Sequence, residues 1–401
     1  MNRRWAILFA VTAICLFCSA MTFSSMGIVV YAMASDFGWS EAQAGSTFTS
    51  LTAVCALTSL LPIVLIPRIG ARATFVAGSL ILAGGFALAW AATSLAGMLV
   101  AAALFGPSFS LVANAPGIYL IATWFGDGSS RIIAVYLMLT NLGGVLGPLL
   151  AAELVAGEGG WRLHWLSMAA VAIVLAIVCA VLIRERPDQI LTAAVERESA
   201  SNADPDSGWA LRSTVRHRQF WLLAAAMVIT QACVITVSSV IASHFEHVGQ
   251  TAAFAATMLS AQALIGTIAT GLAGPLSERV NPRLLLAGSL FIEAIGVALL
   301  AMPQDGWTAW LFALAFGIGW AVATFAITVL LIRYFGNKGG SAALSAVWML
   351  CGLAAAGPPI AGQVADTTGS FVPAILGLAI LLLPLALAAC WLRQPGQPRP
   401  T

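Results

Sequence analysis

Two acids stand inside stretches that are otherwise apolar, Glu153 and Glu293. A carboxyl group in such a setting is costly to keep, and it is a candidate to bind and release a proton. The plainer readings are an interfacial acid near water for Glu153 and a helix–helix contact for Glu293. Four amides occupy similar stretches: Asn114, Asn141, Gln231 and Gln262. Each brings several donors and acceptors that need partners, so each is a candidate to hold a polar solute. Hydroxyls gather at Ser19, Thr22, Ser24 and Ser25, at Ser108 and Ser110, and at Ser260. Such hydroxyls also bond their own helix backbone, which is the plainer account of them. Tyr119, Trp320 and Trp348 are candidates to shape a cavity, with packing as the alternative.

Other chemistry finds little support. Cys15 and Cys18 form a CxxC, but no second ligand pair accompanies it, so neither a metal nor a redox site is expected. All seven cysteines fall in apolar runs, which gives no disulfide framework. His244 and His247 could titrate near neutral pH but lie at the end of an apolar run, where a solvated loop accounts for them. No catalytic triad, metal cluster or phosphate loop is recognisable, so neither an enzyme nor a cofactor is expected. No basic tract is present to bind nucleic acid.

The elements that must position these residues are set by composition. Of 401 residues, 60% are hydrophobic and 8% charged, with a mean hydropathy of +0.95. A soluble domain carries about 25% charged residues, and it could not hide this much apolar surface from water. Lipid removes that constraint. A helix needs about 20 apolar residues to cross the hydrocarbon core. Cutting at charges, glycines and prolines predicts twelve spans: 5–33, 44–66, 73–93, 96–124, 130–156, 162–183, 218–243, 251–276, 283–302, 307–334, 340–364 and 371–392. The first follows Arg3 and Arg4 in the manner of a signal peptide but is too long for one, so it reads as a membrane helix. The expected organisation is a bundle over 1–183, a polar cytoplasmic linker over 184–217 and a second bundle over 218–401.

Placing both termini in the cytoplasm puts seventeen of the eighteen Lys and Arg residues on that side and leaves Arg162 outside. This bias fixes the expected orientation in a cell inner membrane. The expected external loops carry acids instead: Asp36, Glu41, Glu158, Glu246, Asp305 and Asp366.

The two halves repeat at an offset of about 210 residues. Trp124-Phe125-Gly126 corresponds to Tyr334-Phe335-Gly336, and Gly147-Pro148 to Gly357-Pro358. The loop over 63–72 matches the loop over 274–283 in a leucine and two arginines at the same spacing. Six helices per repeat keep both halves in one orientation, which is a parallel repeat with the expected solute path between the halves. In helix 5, Gly143 and Gly147 permit close helix approach, and Pro148 bends the chain.

On these features the sequence resembles the major facilitator superfamily over nearly its whole length. The family's loop signature is glycine, any, leucine, any, acid, arginine, any, glycine, any, basic. Residues 274–283 fit it except for Asn281 in the second glycine's place. The first copy keeps that glycine as Gly70 but has Ile63 for the first glycine and Pro67 for the acid. Five phrases resemble the bacterial branch near monocarboxylate porters and oxalate–formate exchangers. They are Asp36-Phe37-Gly38-Trp39-Ser40, Asn114-Ala115-Pro116, Trp124-Phe125-Gly126, Gly160-Trp161-Arg162 and Arg184-Glu185-Arg186-Pro187. One departure stands out: that branch usually holds a basic residue deep in its second half, and here helix 8 and the middle of helix 11 have none.

The resemblance implies an all-α fold of twelve transmembrane helices in two six-helix bundles. It also implies a monomeric secondary carrier of a small organic solute, a monocarboxylate, working by alternating access with protons as coupling ion. An exporter of amphipathic compounds or drugs is the alternative that a charge-poor interior favours. A membrane receptor is disfavoured because no soluble domain is present.

Overall fold

A computed structural model describes residues 3–125, 129–184, 214–302 and 306–393. The linker expected over 184–217 lies for the most part outside them. The chain divides into two units by its internal contacts. The first comprises Met1–Trp39 and Ser46–Ala203, and the second comprises Ser40–Gly45 and Asp204–Thr401.

In the first unit the helices are α1 (Arg3–Ser19), α2 (Met26–Phe37), α3 (Glu41–Thr58), α4 (Leu61–Ala91), α5 (Leu95–Val112), α6 (Asn114–Phe125), α7 (Ser129–Asn141), α8 (Gly143–Ala156) and α9 (Gly160–Leu182). The first turn of α3 groups with the second unit. The second unit then contains α10 (Arg218–His247), α11 (Ala252–Arg279), α12 (Pro282–Leu300), α13 (Gly306–Leu350), α14 (Gly357–Thr368) and α15 (Val372–Cys390). No strand occurs among the described residues. A lipid-embedded chain must satisfy its backbone hydrogen bonds internally, and helices do so within one segment.

Several expected spans are not single regular helices. The first runs as α1, a π-helical turn over Ala20–Ser24, and α2. The fourth breaks at Ala113, which is extended at φ −83° and ψ −155°. The fifth breaks between Asn141 and Gly143. Conversely, α4 joins the end of the expected second span, 61–66, to most of the third, with Gly70 at φ 85° and ψ 161° marking the corner between them. A run of helical turns also carries α13 from the tenth span into the eleventh. A Cβ at Gly340 would lie 2.6 Å from the Ile332 Cα. Eight residues of straight helix would separate those positions by about 12 Å, so the chain reverses there. Divided at these two corners, the described helices follow the expected order of twelve spans. Eleven segments satisfy length and hydropathy as they stand; the expected span over 44–66 is shared between α3 and the start of α4.

Within the first unit, α4 packs against α5 and α9, and Phe86 stacks on Trp165 and tilts against Phe105, which also meets Trp165. Within the second, α13 packs on α12 and α11, and α15 on α12. Leu57, Leu272, Ile380 and Leu387 stand outward and exposed, which is the apolar surface that lipid covers.

The two repeat loops reach the same bend by different means. In the first, Gly70 adopts a backbone conformation that side chains oppose. In the second, Asn281 stands at the equivalent place with φ −61° and ψ 123°, and its Oδ1 accepts the Arg283 N–H at 3.2 Å as the N-cap of α12. An asparagine can replace the family glycine there because no positive φ is required, and it caps the next helix besides.

Candidate functional site

In the first unit Ser19, Thr22, Ser24 and Ser25 lie in or directly beside the π-helical turn over Ala20–Ser24. An inserted residue of this kind occurs often at functional positions in membrane and soluble helices alike. Ser25 N–H donates to Ala20 O at 3.1 Å, one residue further back than in an α-helix. The glycines of α8 close on this turn. A methyl group at Gly143 would meet Leu16 O at 2.8 Å, and one at Gly147 would meet the Ala20 carbonyl.

The hydroxyls here are largely committed to their own helix. Thr22 Oγ1 donates to Cys18 O at 2.7 Å, Ser24 Oγ to Ser19 O at 3.3 Å, and Ser25 Oγ to Met21 O at 3.1 Å. Ser108 donates to Leu104 O at 2.8 Å. Their donors are used, leaving lone pairs to offer a solute. Ser19 and Tyr119 are half-buried, while Asn141 and Glu153 are exposed on the unit's surface. Asn114 begins α6 at the Ala113 break; its side chain lies outside the described residues.

The second unit brings its residues closer together. Gln262 and Ser260 on α11 are buried, and Gln262 Oε1 and Ser260 Oγ have no hydrogen-bond partner among the described residues. A Cβ at Gly317 of α13 would lie 2.6 Å from the Gln262 carbonyl, and one at Gly266 would lie 3.0 Å from the Trp320 ring. Gln262 and Trp320 therefore line the same glycine-mediated seam between α11 and α13. Gln231 is half-buried on α10, and Trp348 is 45% exposed near the end of α13.

Glu293 is fully buried on α12. Thr230 Oγ1 of α10 donates to its Oε2 at 3.0 Å, and its Oε1 has no partner among the described residues. Glu153 and Glu293 thus sit in opposite surroundings, one exposed and one enclosed. His244 is also buried, with Nε2 at 2.8 Å from Leu300 O, so the solvated-loop expectation for it is corrected. The indole ring of Trp161 and the carbonyl of Trp90 engage Arg162, the expected external cation: the guanidinium lies 4.2 Å over the ring, and Nη1 donates to the carbonyl at 3.1 Å.

Several polar residues at these seams were not singled out from sequence. Thr236 on α10 faces Gly357 so closely that a methyl group there would strike its hydroxyl, and Tyr136 stands likewise against Gly117. His164 is buried on α9, and neither ring nitrogen has a hydrogen-bond partner among the described residues. A small residue one repeat away from Gly147 was the available signal for Thr236. For His164 and Tyr136 the sequence offers none, since one ring in an apolar helix looks like packing.

Among the described residues the buried polar side chains are hydroxyls, the amides of Gln219 and Gln262, the imidazoles of His164 and His244, and one acid, Glu293. No group of three or more metal-ligating side chains occurs among the described residues. Residues 12–356 match the family model of the Major Facilitator Superfamily. The chain belongs to the major facilitator superfamily. As a member it is a multi-pass membrane transporter of a small solute rather than an enzyme. A comparison with curated proteins returns no match. Solved structures share the superfamily fold. The nucleoside transporter NupG aligns with a TM-score of 0.75 and 14% identity over 97% of this chain and 99% of that one. A bacterial homologue of the human lysosomal transporter Spinster, in its inward-facing and unoccupied conformation, aligns at 0.73 and 16%, over 97% and 96%. At these identities the likeness shows the fold alone.

Proposed function

We propose that this superfamily member is a secondary active carrier of a small monocarboxylate, working by alternating access in the cytoplasmic membrane and driven by protons. Both termini are placed in the cytoplasm by the strong bias of Lys and Arg, and the working unit is the monomer. The observation that carries the reading is the buried Gln262 Oε1 on α11, which has no partner among the described residues; Ser260, roughly 200° around the same helix, offers a second such group on another face. A buried polar group without a partner is costly, and a solute with complementary groups removes that cost. The Gln262 amide can donate to a carboxylate oxygen and accept from a hydroxyl, and the Ser260 hydroxyl can do either. Trp320, which meets Gly266 one turn along the same α11–α13 seam as Gln262, supplies an apolar wall for a short carbon chain. Ser19, Thr22, Asn114, Tyr119, Asn141, Gln231 and Trp348 are the further proposed solute contacts, and Glu153 and Glu293 are the acids available to carry protons.

The same observation keeps a second reading in play. No Lys or Arg accompanies Gln262 on α11 before Arg279, and a neutral or amphipathic export substrate would need none. The deciding test is uptake of radiolabelled lactate or acetate into proteoliposomes under an imposed inward proton gradient. Uptake that requires the gradient and is abolished by an uncoupler supports the carboxylate carrier. No uptake above empty liposomes by folded, reconstituted protein removes the lactate and acetate reading in favour of efflux substrates.

A further inference from the structure

Glu293 on α12 has an unusual place for a coupling acid, because α10 and α13 close on it within one unit. α10 brings Thr230, which donates to Oε2 at 3.0 Å. α13 brings Gly319, where a Cβ would lie only 2.5 Å from the Glu293 backbone. Three residues along α12, Gly296 meets the Phe316 backbone in the same way. The pairs 293 with 319 and 296 with 316 define an antiparallel seam at backbone contact.

The opposite side of α13 is equally close to α11. Gly317 faces the Gln262 carbonyl, and Gly266 faces Gly317 and Trp320. Gly317 and Gly319 are two residues apart, roughly 200° around an α-helix. One helix thus presents bare backbone on one face to the backbone of Glu293 and on the other to the backbone of Gln262. Close-packed seams of this kind transmit small displacements, since they cannot deform freely.

Among the described residues, the surroundings of Glu293 offer no cation. Cys233, one turn beyond Thr230 and fully buried, is the titratable group beside it. On α12 the nearest basic residue is Arg283, ten positions away, and on α13 Arg333 lies fourteen beyond Gly319, about 21 Å along the axis. α15 packs on α12 and carries no charged residue from Val372 to Cys390. At the far end of α10, His244 is engaged with Leu300. A carboxylate held by one hydroxyl, with its second oxygen unpartnered, is poorly accommodated. A carboxylic acid fits, and its ionisation requires the seam to open toward water.

We propose that Glu293 is an enclosed proton-binding site, positioned by Thr230 and linked to Gln262 and Trp320 through the two-faced glycine contact of α13. Protonation closes the α12–α13 seam, and release of the proton accompanies its opening. The coupling acid then lies apart from the solute contacts and acts on them through helix packing. This deepens the proposed proton-driven function and rests on it for its transport arm.

Two measurements on the full-length protein test it. The first needs no solute: infrared titration of the protonated-carboxyl stretch in wild type and Glu293→Gln. A titrating acid band present in wild type and missing from Glu293→Gln is expected, with the band shifted in Thr230→Val. Identical titrations in wild type and Glu293→Gln overturn the proposal even if the carrier moves lactate. The second compares lactate counterflow with gradient-driven accumulation. Glu293→Gln should retain counterflow while accumulation falls by about tenfold or more, the size of a typical coupling term. Thr230→Val should move the pH profile without abolishing transport. Undiminished accumulation in Glu293→Gln overturns the proposal. Absent uptake by wild type itself would strike the carboxylate reading and leave the infrared result to decide this one. If Glu293→Gln does not fold, the band in Thr230→Val decides, and an unshifted band counts against the site.

Discussion

The indole N–H of Trp161 donates to the Asp36 carboxylate at 2.6 Å, joining the end of α2 to the start of α9. Phe37 stacks on Trp39 at 5.2 Å and tilts against the Trp161 ring at 5.6 Å. Gly38 ends α2 in the left-handed region at φ 66°. The arrangement is an aromatic clasp closed by one charge-assisted bond. Hydrogen bonds to charged groups contribute about 1.5–3 kcal/mol. Asp36→Ala is therefore expected to lower thermal stability in detergent by about that amount, while transport per folded molecule is retained. A loss of transport with unchanged unfolding temperature would place Asp36 in the solute's path instead.

This clasp bears on how the sequence is read. Two phrases that carry the resemblance to monocarboxylate porters, 36–40 and 160–162, meet in it. Two others also meet, since the Trp124 indole donates to Arg184 O at 3.2 Å. These phrases hold the first unit together at its helix ends, so their specificity concerns the fold more than the solute. Span order, repeat and family were legible because hydropathy, charge bias and paired glycines repeat along the chain. The π-helical turn at Ala20 was not legible, because an inserted residue leaves composition unchanged. The contrast between Glu153 and Glu293 was drawn only as their plainer readings, near water for one and in a helix contact for the other, and tertiary packing exposes the first and encloses the second. The grouping of Gln262 with Trp320 depends on which faces the glycines of α11 and α13 turn to each other.

The repeat loops give a paired prediction. Gly70 holds φ 85° with ψ 161°, a region essentially confined to glycine, where side chains cost about 1–3 kcal/mol. Gly70→Ala should destabilise by that amount. At the equivalent position Asn281→Gly should cost only a few tenths of a kcal/mol, and Asn281→Ala about 1 kcal/mol through loss of the cap. Thermal unfolding of the three variants checks the order. Equal losses for Gly70→Ala and Asn281→Gly would mean the two loops share one requirement.

The α8 glycines give a packing prediction. A methyl group at Gly147 would meet the Ala20 carbonyl, carbon and Cα together, and none of these backbone atoms can turn aside. Gly147→Ala should push α8 off the π-helical turn and lower both stability and transport. Gly84→Ala and Gly271→Ala are controls, because nothing lies within 4 Å of the added group at either site. Alanine in a helix interior is favoured over glycine by about 0.5–1 kcal/mol, so both controls should be neutral or stabilising. A neutral Gly147→Ala would show that α8 and the turn adjust freely.

The last prediction separates a spent hydroxyl from an unspent amide. Thr52 of α3, which is not among the proposed solute contacts, donates to Phe48 O at 2.7 Å, so Thr52→Val removes a bond within the helix and should change the transport KM by no more than about twofold, a few tenths of a kcal/mol. Gln262 Oε1 is buried and has no partner among the described residues. Replacing it with leucine removes an unsatisfied polar atom, so the unloaded protein should be as stable as wild type or more so. A hydrogen bond from its amide to a carboxylate is worth about 1.5–3 kcal/mol, or roughly ten- to a hundredfold in KM. Gln262→Leu should therefore raise KM by that factor in lactate uptake while raising or preserving the unfolding temperature. The opposite pairing, with lower stability and unchanged KM, would identify Gln262 as a packing residue of the α11–α13 seam.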